Sequence, residues 1–140
     1  MATITTNSLG LRRIANHSCP VTNFSSTATT YTTIANTDML EKFSAYPTGT
    51  KAEIIVFWTN NTASRTNYIQ LYDQAPGGSG AVVSGSELTQ AITTPGTYQI
   101  VQTSVPFTLP TGLTSLMVQI KGSAAGTMTV KKVEVNIIFP

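Results

Sequence analysis

The segment that most limits the fold of this chain is its last one, "TMTVKKVEVNIIFP" (residues 127–140). Apolar residues recur there with period two, which is strand spacing and not helix spacing. The period changes phase once: Met128 and Val130 share one parity, while Val133, Val135, Ile137 and Phe139 share the other. One extra residue at Lys131–Lys132, a β-bulge, reconciles the two halves, because it shifts the phase without turning the whole strand outward. Such a strand buries one face nearly to its end, so a second layer must cover it.

Other segments repeat the message. "KAEIIVFW" (51–58) is apolar on both parities, which suits a central strand, and Trp58 shares parity with Ile54 and Val56, so it reads as core. "TNYIQLYDQ" (66–74) alternates, with Ile69 and Leu71 on one side and Tyr68, Gln70 and Tyr72 on the other. "TYQIVQTSVPFTL" (97–109) reads as a strand or strand pair broken at Pro106, and "TSLMVQIKG" (114–122) turns Leu116, Val118 and Ile120 inward. Between them "APGGSGAVVSGS" reads as a flexible glycine-rich connection lying outside the core. The N-terminal third is less periodic; a strand is expected around Thr29–Ala35. Helical signals shrink to one turn in "NTDMLEKF", with Asn36 or Thr37 as cap and Glu41 in the turn that follows. About eight short strands with Gly/Pro turns and almost no helix predict an all-β, antiparallel jelly-roll β-sandwich. Residues 16–140 are expected to form that single domain, with 1–15 as an N-terminal arm.

Composition narrows the function. Only 10% of the residues are charged, while hydrophobic residues stand at 41%, and Thr, Ser and Asn fill the gap. Disordered chains combine low hydrophobicity with high charge, and this one has neither. A formal net charge of +2 with the basic pairs Arg12–Arg13 and Lys131–Lys132 far apart argues against a nucleic-acid partner. No apolar run reaches the ~20 residues of a membrane span, and the first residues lack the order of a secretory signal, so synthesis in a host cytoplasm is expected. The sequons at Asn16, Asn23 and Asn60 are what chance gives in such a chain.

From "VPFTLPTGLTSLMVQIKG" through "GTMTVKKVEVNI" the pattern resembles the closing strands of galactose-binding-like jelly rolls, common in carbohydrate-binding modules, over roughly a quarter of the chain. In size, composition and strand pattern the chain also resembles the cement or decoration proteins that sit as trimers on tailed-phage capsids. The second resemblance implies a homotrimer, a major capsid protein as partner and a place in the virion.

Catalysis needs clustered ionisable groups, and one His and six carboxylates offer little; no nucleophile elbow, zinc-helix motif or phosphate loop occurs, so no enzyme and no cofactor is expected. His17 and Cys19 lack the further ligands of a zinc site and read as a half-buried His and a packed thiol. Asp73 with Glu87 is the best pair for a calcium ion. Read as starting at its initiator Met, with one domain and no linker, the chain looks like a self-contained structural part. Low charge fits the same role, since Thr and Asn lose less than Lys or Glu when a surface is buried against neighbours. The expected function is therefore a non-catalytic virion structural protein, a trimeric cement protein bridging shell subunits. Its contact residues would be Thr3, Ile4, Leu9, Leu11, Arg12 and Arg13 in the arm, with Ile138 and Pro140 at the other end. The alternative is a carbohydrate-binding module or tail adhesion domain that receives a glycan on Tyr68, Gln70 and Tyr72.

Overall fold

The computed structural model describes residues 14–19, 21, 23–34, 44–74 and 80–140. In chain order the strands are β1 (Ile14–Cys19), β2 (Phe24–Ser26), β3 (Thr32–Thr33), β4 (Ser44–Tyr46), β5 (Lys51–Asn60), β6 (Thr66–Gln74) and β7 (Gly80–Val82). They continue as β8 (Leu88–Ala91), β9 (Gln99–Gln102), β10 (Phe107–Thr108), β11 (Gly112–Thr114), β12 (Leu116–Gly122) and β13 (Met128–Ile138). Among the described residues there is no helix, and the turn expected in "NTDMLEKF" lies outside them.

Two antiparallel sheets make the sandwich. In the first, β13 is central, flanked by β1 and β2 on one edge and by β5 on the other, and β5 carries β9 and β10. In the second, β12 and β6 are central, with β3 outside β12 and both β7 and β8 outside β6. β4 and β11 form a separate ribbon. The chain passes directly from one of these sheets to the other between β2 and β3, β5 and β6, β8 and β9, and β12 and β13, so this is a jelly-roll type of sandwich and no barrel.

Alternation assigns the two faces. Ala52, Ile54, Val56 and Trp58 of β5 are fully buried, as are Val133, Val135 and Ile137 of β13; from the second sheet Ile69, Leu71, Val118 and Ile120 meet them. The phase change in β13 is where the sequence puts it: Val130 faces Trp58, Lys132 faces Phe57, and Lys131 is the extra residue. Trp58 is core, and its indole N–H donates to Gln90 Oε1 at 2.5 Å, which satisfies the one polar atom the ring takes inside. Gln90 in turn donates to Gln99, tying β8 of one sheet to β9 of the other. The β5–β6 and β12–β13 crossovers are tied at the same end. Asn60 and Asn67, both fully buried, bond at 3.0 Å, and Asn61 accepts from the Thr127 N–H at 2.8 Å.

Three parts of the sequence reading are corrected. The glycine-rich stretch is not wholly outside the core: Gly80–Val82 pairs with β6, and Val83 and Ser86 are buried. Ser86 Oγ accepts from the Leu71 N–H at 3.0 Å and donates to the Leu71 carbonyl at 3.3 Å, so a side chain stands in for a missing strand neighbour. In addition, Ile14 and Ala15, assigned to the arm, belong to β1, where they pair with Ile138 and Ile137. Among the described residues of the strand expected at Thr29–Ala35 only Thr32–Thr33 is strand, while 97–109 is the strand pair that the break at Pro106 allows, β9 and β10.

Candidate interaction surfaces

Parity turns Tyr68, Gln70 and Tyr72 to the outer face of the second sheet, where their cross-strand partners are Lys121, Gln119 and Met117. The triplet is not an open platform. Gln70 is only 4% exposed, and its amide donates to Gln119 Oε1 at 2.9 Å. The Lys121 ammonium lies 4.7 Å from the ring centres of both Tyr68 and Tyr31, a cation between two aromatic faces. Tyr31 reaches across the sheet to donate to Glu87 at 2.6 Å. Burial, and then the bond to Glu87, push the Tyr31 hydroxyl well above the ordinary range of a phenol. The Gln70 amide, the Tyr31 hydroxyl and the Lys121 ammonium are thus engaged within the face itself.

The outer face of the first sheet is different. Ile55 and Phe57 of β5 turn outward beside Gln102 and Ile100 of β9, and Ile55, Phe57 and Ile100 with Lys132 and Glu134 of β13 line a half-open hollow of about 130 Å³. Ile100 is 72% exposed, and Val105, just beyond β9, is 71% exposed. Phe57 packs against Tyr98 with ring centres 5.3 Å apart, Lys131 sits 4.3 Å from the Tyr98 centre, and Lys132 pairs with Glu134 at 3.4 Å. This gives an apolar centre with a charged border on one side, the composition of a protein contact and not of a solvated sheet. The sequence signal is Ile55 and Phe57, the second apolar parity of the "KAEIIVFW" run, which in a central strand fits burial on both faces as well as an apolar outer face.

The expected terminal contacts fare unevenly. Thr3, Ile4, Leu9, Leu11, Arg12 and Arg13 lie outside the described residues. Ile138 points away from the core, as its parity requires, yet is only 6% exposed, while Ile137 is fully buried. Pro140 is exposed and lies beside the turn at Gly49.

The ionisable groups stay apart. Cys19 is a buried free thiol whose pKa is pushed up to about 12 by burial and, second, by the charge of Glu134. His17 is half-buried on the same side of β1. Asp73 stands in β6 opposite Leu116, whereas Glu87 is taken by Tyr31. Among the described residues no three His, Cys, Asp or Glu side chains gather as metal ligands would.

No protein-family model and no curated protein sequence matches this chain. Solved structures do match. The structure of the Gt strain of infectious bursal disease virus aligns over 91% of this chain and 33% of that one, with 12% identity and a TM-score of 0.62. The VP2 protein of the same virus in derived T=1 particles aligns over 91% and 32%, at 15% identity and a TM-score of 0.59. A VP2 subviral particle gives 91% and 33%, at 14% and 0.55. The chain thus spans about a third of the length of the virus proteins it matches, and what it shares with them is the jelly-roll sandwich.

Proposed function

We propose that this chain is a non-catalytic structural protein of a virion, whose work is to bridge shell subunits as a cement protein does. The observation that carries the reading is the apolar outer face of the first sheet, where half-buried Ile55 and Phe57 lie beside the exposed Ile100. A folded chain of this size gains nothing from leaving such side chains in water, and gains from covering them on assembly. The fold it shares with proteins of virus particles supports the same reading. The proposed partners are other copies of the chain, three in the trimer implied by the phage-decoration resemblance, and a major capsid protein. Contacts to that shell are made by the apolar face and by the segment before β1; Ile138 contributes through folding.

The mechanism is mechanical. Each bridging subunit adds buried area across a junction between shell proteins, and many weak contacts on one body hold as a strong one. The test is quantitative mass spectrometry on particles purified from cells that make the chain, with heat release of the genome measured on particles made with and without it. The chain present in stoichiometric numbers, with earlier heat release in its absence, is the expected result. Absence from purified particles overturns the reading. Glycan retention that disappears in a Tyr68→Ala, Tyr72→Ala double variant would establish the sugar-binding alternative instead.

A further inference from the structure

We infer that the free edge of β9 is a two-fold docking site for a second copy of this chain, which pairs its own β9 antiparallel to the first. This goes beyond the shell reading, since it concerns how one copy meets another and holds or fails whatever larger body the copies join.

The hydrogen-bond phase of β9 is fixed by one bond next to it. The Thr103 N–H donates to the Ile54 carbonyl at 2.9 Å. In an antiparallel pair the residues that face the neighbour alternate with those that face away. Val101 and Gln99, opposite Val56 and Trp58, therefore turn their backbone groups toward β5, and Ile100 and Gln102 turn theirs to the open edge. Among the described residues no strand pairs with that edge. The unpartnered backbone groups and Ile100, the most exposed large apolar side chain among the described residues, thus belong to the same short strand.

Edges of this kind are normally guarded by lysine, proline or a bulge. β9 has none of these: residues 97–105, "TYQIVQTSV", carry no charge and no proline, so two copies approach without repulsion between like charges. Only an extended backbone satisfies such an edge, and a second β9 matches it by symmetry. With the two-fold axis through Val101, Ile100 of each copy pairs with Gln102 of the other, forming four backbone hydrogen bonds. On the outer face the row Lys132, Phe57, Ile100 of one copy then continues into Gln102, Ile55, Glu134 of the second, and the two Ile100 side chains become diagonal neighbours across the axis. The positive end of each row lies on one copy and the negative end on the other. Such a contact joins two single copies, or two trimers edge to edge. It is small, so its dissociation constant falls in the ~µM to mM range, and multivalency supplies the rest.

The register gives a specific test. Val101 of the two copies would face each other as a non-hydrogen-bonded pair with Cα atoms about 4.5 Å apart, within disulfide range. The Val101→Cys variant of the full chain, oxidised mildly, should form a covalent dimer through residue 101, located by peptide mapping. Cys19 stays silent, being buried and held as a thiol. Light scattering of the unmodified chain should show its mass doubling as concentration rises toward about 1 mM. Ile100→Lys should weaken that association by at least about tenfold while leaving the circular dichroism spectrum and Tm unchanged, since the side chain lies in solvent within one copy. A mass that never doubles overturns the proposal, and so does a doubling that Ile100→Lys leaves intact or that occurs without a link at residue 101.

Discussion

Ser86 and Cys19 are both buried, and each is held by a different piece of physical chemistry. Ser86 accepts from the Leu71 N–H and donates to the Leu71 carbonyl, which also accepts from the Val83 N–H. Ser86→Ala leaves the buried Leu71 N–H without an acceptor, while the carbonyl keeps the Val83 N–H, so it should cost about 1–3 kcal/mol in urea unfolding, more than removal of an exposed serine such as Ser84 or Ser104. Cys19 has its thiol away from water, with the carboxylate of Glu134 raising its pKa further. A thiol whose folded pKa lies above its unfolded value binds its proton more tightly in the native state. Its contribution to stability is intact below about pH 9 and is lost as pH climbs toward 12, at up to about 1.4 kcal/mol per pH unit. The stability difference between the chain and its Cys19→Ala variant should shrink over that interval and stay constant between pH 6 and 8. Below pH 9 the native thiol should also resist a disulfide reagent that labels the unfolded chain at once.

At the scale of elements, β13 shows what an extra residue does. Omitting Lys131 leaves Met128, Val130, Lys132 and Val133 in unbroken alternation, and the β13–β5 register simply closes up. Deleting Lys131 should therefore preserve the fold with a small change in Tm, whereas deleting Thr129 turns Met128 out of the core and should lower Tm sharply. Thermal unfolding of the two variants decides it. This bulge was legible in the sequence because two inward residues, Met128 and Val130, precede it in one phase and three, Val133, Val135 and Ile137, follow it in the other. β5, β6 and β12 were legible for the same reason: each has an apolar parity long enough to count. β1 was not, because "IANHSC" turns Ala15, His17 and Cys19 inward, and only register with β13 makes those residues a face. β7 and Val83 hid inside a glycine-rich run, since turn composition describes the local chain and not what another strand will accept from it. The candidate surface was half legible. Tyr68, Gln70 and Tyr72 do turn outward, but the bridge from Tyr31 to Glu87 joins residues 56 positions apart, which no local pattern reveals. The exposure of Ile100 and Val105 likewise depends on which strands lie at an edge.

For the whole molecule, the apolar C-terminus separates folding from assembly. Sequence alone allows Ile138 and Pro140 to be buried by neighbouring copies, so that removing residues 137–140 would dissociate an oligomer before unfolding a protomer. The structure makes the opposite order the expected one. Ile137 pairs with Ala15 on one side and Ala52 on the other, Ile138 pairs with Ile14 and Lys51, and both isoleucines are buried within a single copy. Cutting after Asn136 removes the closing rungs of both ladders of the central strand and two core-sized side chains, a loss of at least about 4 kcal/mol by the scale of large-to-small substitutions. For a domain of this size that is a large fraction of the whole stability. Fold and assembly should therefore disappear together in the truncated chain, seen as loss of the cooperative urea transition and of defined mass in the same sample. Removing Pro140 alone, which is exposed, should leave both unchanged. Ile100→Lys is the complementary variant, because it acts on a side chain that one copy leaves in water. If the truncated chain kept its cooperative transition and lost only its oligomers, the terminus would be a contact after all, and the face around Ile100 would lose its place as the main one.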